Sequence, residues 1–147
     1  MMFNQTLYPA TRIKNVMFPR HGKFHVETKS NVLLVSAIGP FNEELVQDYK
    51  AAVEAAIAQL SSYPQWGQIV ILEKESLFTP DAERLLVQSL KYRKLMGLRT
   101  SAVVLHENVT ARSLIVQQMS KAYEKVGIEF SFFDNLAEAT KWTAASV

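Results

Sequence analysis

The sequence predicts a single α/β domain: a mixed sheet of about five strands, the first antiparallel and the rest parallel, carrying four helices. Three observations predict it. From Lys23 to Trp142, two short strand signals are followed by helix, strand, helix, strand, helix, strand and helix, with almost nothing between them. The first two strand signals are joined only by Lys29-Ser30-Asn31, too short a link for a parallel crossover. The later strands are brief apolar runs separated by helical periods, the pattern of successive βαβ units.

Taken in order, Met1 to His21 shows no sustained period and mixes Pro9, Pro19 and Asn15 with scattered Phe3, Leu7, Tyr8 and Phe18. It reads as an amino-terminal arm over 1–21, with the α/β domain over 22–147. Lys23 to Thr28 alternates like a strand, and Val32 to Ile38 is a continuous apolar run suited to burial on both faces, so the pair reads as a hairpin. Gly39-Pro40-Phe41 breaks the second strand. Asn42 then offers a side-chain oxygen to cap a helix with Glu43 and Glu44 in its first turn, and Leu45, Val46, Tyr49, Val53, Ala56, Ile57 and Leu60 follow at helical spacing. Ser61-Ser62-Tyr63-Pro64 ends that helix, and Gln68 to Leu72 is the next strand.

Thr79-Pro80-Asp81 is a helix start: Thr79 caps, Pro80 takes the first helical position where its missing N–H costs nothing, and Asp81 meets the positive end of the dipole. Gly97 stops this helix and Ser101 to Leu105 is a strand. Asn108 or Thr110 is expected to cap the next helix, with Leu114, Ile115, Met119, Ala122 and Val126 inward and Gly127 closing it. Ile128, Phe130 and Phe132 alternate with Glu129 and Ser131 as in an edge strand, and Asp134 or Asn135 starts a last helix ending near Trp142.

A chain of 147 residues suits one domain, which buries roughly 70% of its unfolded surface and needs no covalent staple. Cysteine is absent, which excludes disulfides, thiolate catalysis and cysteine-ligated metals. Sixteen basic against fourteen acidic residues give a net charge of +2, so composition implies neither a nucleic-acid nor a membrane partner. The start lacks a basic region followed by an apolar core, and no apolar run approaches a membrane span, so a soluble cytoplasmic protein is expected. Lys91, Arg93, Lys94 and Arg99 bracket the end of the second helix and read as solvated cations complementing the macrodipole.

The element order, Gly39-Pro40-Phe41 between the second strand and first helix, and the closing pattern Phe130-x-Phe132-Phe133-Asp134 with Ala137, Ala139 and Trp142 resemble the anti-sigma-factor-antagonist family. That family is also called STAS or SpoIIAA-like, and the pattern is similar to its uncharacterised branch. The resemblance covers Lys23 to Trp142 and implies a non-catalytic regulatory module that binds a protein partner. Phosphorylation switches in that family carry an Asp-Ser-Ser type sequence at the start of the second helix, where a phosphoserine adds charge at a partner-facing surface. Here the matching stretch is Leu77-Phe78-Thr79-Pro80-Asp81, so no serine-kinase switch is expected.

In open α/β folds the usable surface lies beyond the carboxyl ends of the strands. Phe41, Asn42, Phe78, Thr79, His106, Asn108 and Arg112 fall there and form the candidate partner or ligand surface. His106-Glu107 could make an acid/base pair with Arg112 as an anion contact, but neighbouring residues on a strand or loop point apart and no nucleophile or Gly-rich loop accompanies them. Glu73 and Glu75 sit two apart in a loop without a converging third group, and His21 and His25 straddle a turn that does not aim both rings at one point. Neither catalysis, a cofactor nor a metal is expected. Two readings follow: a protein-interaction module, with self-association as a homodimer included, or a binder of a small apolar or anionic molecule at the strand ends or under the arm. Leu77-Phe78 discriminates them by plugging the core or standing exposed as an anchor.

Overall fold

A computed structural model describes residues 22–147, in which strands β1 (Lys23–Lys29), β2 (Val32–Ile38), β3 (Trp66–Glu73), β4 (Leu98–Leu105) and β5 (Glu129–Phe133) form one sheet. Their order in space is their order in the chain, with β1 antiparallel to β2 and every later pair parallel. The helices are α1 (Glu43–Ile57), α2 (Pro80–Leu95), α3 (Arg112–Val126) and α4 (Leu136–Ser146), with one 3-10 turn, Ala58–Leu60, after α1. This is the fold class the sequence predicts. Residues 1–21, and with them the arm and His21, lie outside the described residues.

Register explains which residues meet. Val26, Val35, Val70, Val103 and Phe132 line up across all five strands on one face, and His25, Ser36, Ile71, Val104 and Phe133 line up on the other because successive side chains alternate faces. The first face carries the main core, where Leu33, Val35, Val70, Leu72 and Val103 pack under Leu45, Val53, Leu86, Leu90, Ile115 and Met119 of α1, α2 and α3. All three βαβ crossovers therefore lie on one side. The second face holds a smaller cluster, Ile69, Ala102 and Val104 with Ala139 of α4, flanked by Leu34, Ile71, Phe133 and Trp142.

The helix ends follow their sequence signals in three cases of four. Asn42 accepts the Leu45 N–H at 2.9 Å, Thr79 accepts the Ala82 N–H at 3.2 Å, and Asn135 accepts the Glu138 N–H at 2.9 Å. Neither Asn108 nor Thr110 caps α3. The residue before it is Ala111 in the left-handed region, φ 52°, with no side-chain cap. The cause is visible: Asn108 Oδ1 is drawn away to the Lys74 N–H and the Thr110 N–H donates to the Lys74 carbonyl, so both expected caps serve the β3–α2 loop. Leu114, expected inward, is 52% exposed, and Val126 is only partly buried. Gly39 sits where the β2–α1 link crosses the β3–α2 loop, and any Cβ there would collide with the Glu75 carbonyl and the Ser76 backbone.

Candidate functional site

The expected surface residues divide into two groups. His106, Asn108 and Arg112 come together beyond the carboxyl ends of β3 and β4. The Asn108 N–H donates to His106 Nδ1 at 3.0 Å, Asn108 Oδ1 accepts the Lys74 N–H at 3.1 Å, and Arg112 Nη2 donates to the Leu105 carbonyl at 3.3 Å. Arg112 Nη1 also lies 3.7 Å from Asp134. All of these side chains are exposed. Because His106 Nδ1 is taken as an acceptor, the proton of the neutral ring sits on Nε2.

Phe41 and Phe78 do something else. Their segments form an isolated parallel bridge, with the Phe41 N–H bonded to the Leu77 carbonyl at 2.9 Å and the Thr79 N–H to the Phe41 carbonyl at 3.0 Å. The rings lie 4.7 Å apart between centroids, and Phe41 is 5% exposed. Gln118 of α3 clamps the pair, accepting the Phe78 N–H and donating to the Phe78 carbonyl, both at 3.0 Å. Leu77 and Phe78 thus plug the core and are not a protruding anchor. Asn42 and Thr79 are exposed but their side-chain oxygens are occupied as helix caps.

Beneath this plug lies a buried polar network. Arg93, expected to be a solvated cation, is wholly buried between α2 and the sheet. Its Nε and Nη2 donate to Ser89 Oγ at 3.2 and 2.9 Å, and its Nη1 donates to Gln68 Oε1 at 2.9 Å. Gln68 Nε2 donates to Ser101 Oγ, which donates to the Tyr123 hydroxyl, each at 2.9 Å. The guanidinium carbon also stands 5.1 Å from the Tyr49 ring centre, within cation–π range. Burial pushes the Tyr123 hydroxyl up from 10.0 to about 12, the Ser101 hydrogen bond opposing this in part.

The signal for this buried network was in the sequence. Ala82, Leu86, Ser89, Leu90 and Arg93 recur at one helical face, and Gln68 and Ser101 are polar residues opening otherwise apolar strands. Register makes Gln68 and Ser101 direct neighbours. The chemical type of Arg93 points to solvent but its spacing places it on the buried stripe; Lys91, Lys94 and Arg99 are exposed as expected.

Arg93, Gln68, Tyr49 and Tyr123 border a cavity of about 30 Å³ whose other lining residues, Phe41 and Phe78 among them, are apolar. Glu73 is partly buried and Glu75 exposed, and Lys74 between them has φ 57°, so the segment is not extended and the two carboxylates are not a pair. His25 Nε2 lies 3.1 Å from Glu27 Oε1. Among the described residues no group of three or more His, Cys, Asp or Glu could hold a metal ion, and no helix is long and apolar enough to cross a membrane.

No protein-family model matches the chain, and no curated protein does. Among solved structures it is similar to the Bacillus cell fate determinant SpoIIAA in its phosphorylated form, at 15% identity, covering 81% of this chain and 97% of that one with a TM-score of 0.46.

Proposed function

We propose that the chain is a non-catalytic regulatory module that acts by binding a protein partner through the rim at the carboxyl ends of β3 and β4. The observation that supports this reading is the fixed, exposed presentation of His106, Asn108 and Arg112, each held by hydrogen bonds to neighbouring backbone, with half-exposed Leu114 two residues beyond Arg112. Preorganised polar groups beside an exposed apolar side chain lose little entropy on docking. Binding here does not call on Thr79, whose Oγ1 is engaged by the Ala82 N–H.

The test is affinity capture from native lysate with ATP present, comparing the natural chain with Arg112→Glu, Leu114→Asp and a distal control, Lys91→Glu. A specific partner is retained by the natural chain and the control and reduced at least about tenfold by either rim change, the effect of losing ~1.4 kcal/mol. Mass-spectrometric mapping finds Thr79 unmodified in the same sample. Equal capture by all four proteins, or substantial phosphate on Thr79, would contradict the reading.

A further inference from the structure

A guanidinium cannot discharge by losing its proton at any ordinary pH, so burial of Arg93 puts a full positive charge inside the fold. Such charges are normally paired. Among the described residues Arg93 meets only Ser89, Gln68 and the Tyr49 ring, all neutral. Residues 1–21 contain no aspartate or glutamate, so the arm has no side-chain carboxylate to offer either. Tyr123 is no substitute, because its hydroxyl stays protonated up to about pH 12. The three hydrogen bonds use three of the five guanidinium N–H donors.

The surroundings specify what could complete the charge. Arg93 lines the cavity near the end of α2 and Phe41 and Phe78 line it near the start of that helix, with Phe24, Val35, Val46, Val70, Leu72 and Leu86 as further apolar wall. Inorganic anions are poorly matched to that wall, since most of their surface would be desolvated without a hydrogen bond. We propose that this cavity is a binding site for a small apolar monocarboxylate, with the carboxylate on Arg93 and the hydrocarbon tail running toward the Phe41–Phe78 plug. At about 30 Å³ the cavity has room for about two waters. Room for a hydrocarbon tail therefore requires the partly buried Phe78 and the unbranched Met119, both on the cavity wall, to change rotamer, which methionine does readily. The site is separate from the exposed rim and does not rest on the protein-partner reading.

Isothermal titration of the full chain with butanoate, hexanoate, octanoate and decanoate, and with 1-octanol as the uncharged control, tests this. The expected result is saturable one-to-one binding that peaks at one chain length, with octanol at least about tenfold weaker than octanoate. Arg93→Met removes that preference for the acid. Ala37→Leu, which fills the cavity from β2 and leaves the Arg93 network in place, abolishes binding of acid and alcohol alike and guards against an Arg93 variant that does not fold. Failure of every carboxylate to bind, octanoate and octanol binding equally, unchanged binding by Ala37→Leu, or phosphate and chloride competing with no dependence on chain length would each overturn the proposal. Lysate capture through the rim can fail or succeed without altering these outcomes.

Discussion

At the scale of single residues, Tyr123 shows how burial and hydrogen bonding set chemistry. Its hydroxyl is the last acceptor of a chain that begins at Arg93 and passes through Gln68 and Ser101. Removing the group from water raises its folded-state value to about 12 from 10.0. The stability it contributes is therefore complete below about pH 10, where both states are protonated, and is lost as pH rises from there toward 12, because only the unfolded state then releases its proton. Urea denaturation between pH 9 and 12 should show this decline, and Tyr123→Phe should flatten it. At neutral pH the same substitution should cost about 1 kcal/mol, since it leaves the Ser101 hydroxyl without its acceptor.

Among the elements, α3 begins least favourably. Ala111 holds φ 52°, ψ 42° at the residue preceding it and provides no capping oxygen, a conformation that costs a residue with a Cβ about 1 kcal/mol relative to glycine. Ala111→Gly should therefore raise stability by about 0.5 kcal/mol after the added freedom of the unfolded chain is subtracted, read as a shift in the denaturation midpoint. Arg112 and Leu114 follow at once, Arg112 donating to the Leu105 carbonyl and Leu114 half exposed. The sequence revealed the caps of α1, α2 and α4 because Asn42, Thr79 and Asn135 bond within their own helices. It concealed the start of α3 because Asn108 and Thr110 bond to Lys74, a residue more than thirty positions earlier. The burial of Arg93 is legible in its helical spacing, but its partners are not: its acceptor Gln68 lies on a different element, and only the register of the folded sheet brings Ser101 to Gln68.

For the molecule as a whole, the asymmetry of the sheet matters most. Three crossover helices cover one face, while α4 packs against β3, β4 and β5 on the other. The β1–β2 half of that second face presents Leu34, Ser36 and Ile38 partly buried and His25 only 4% exposed. The arm joins β1 through Gly22 and carries Phe3, Leu7, Tyr8 and Phe18, which makes it the expected cover, with a second copy of the chain as the other route to the same burial. Deletion of residues 1–20 should lower the melting temperature by several degrees or change the mass measured by light scattering; an unchanged value of both would make the arm a tail. Strand order carries a further implication, for the nascent chain. Since β1 to β5 are adjacent in the order they are written, a growing polypeptide adds each strand to a free edge and never has to open an existing pair to insert one, so contacts form at short sequence separation. The exception is α4: Ile69, Ala102 and Val104 wait for Ala139, so until Leu136–Ser146 leaves the ribosome the sheet is complete but half unroofed. A chaperone that recognises bare apolar sheet would find its target in that interval, on the face of β3 and β4 that α4 later covers.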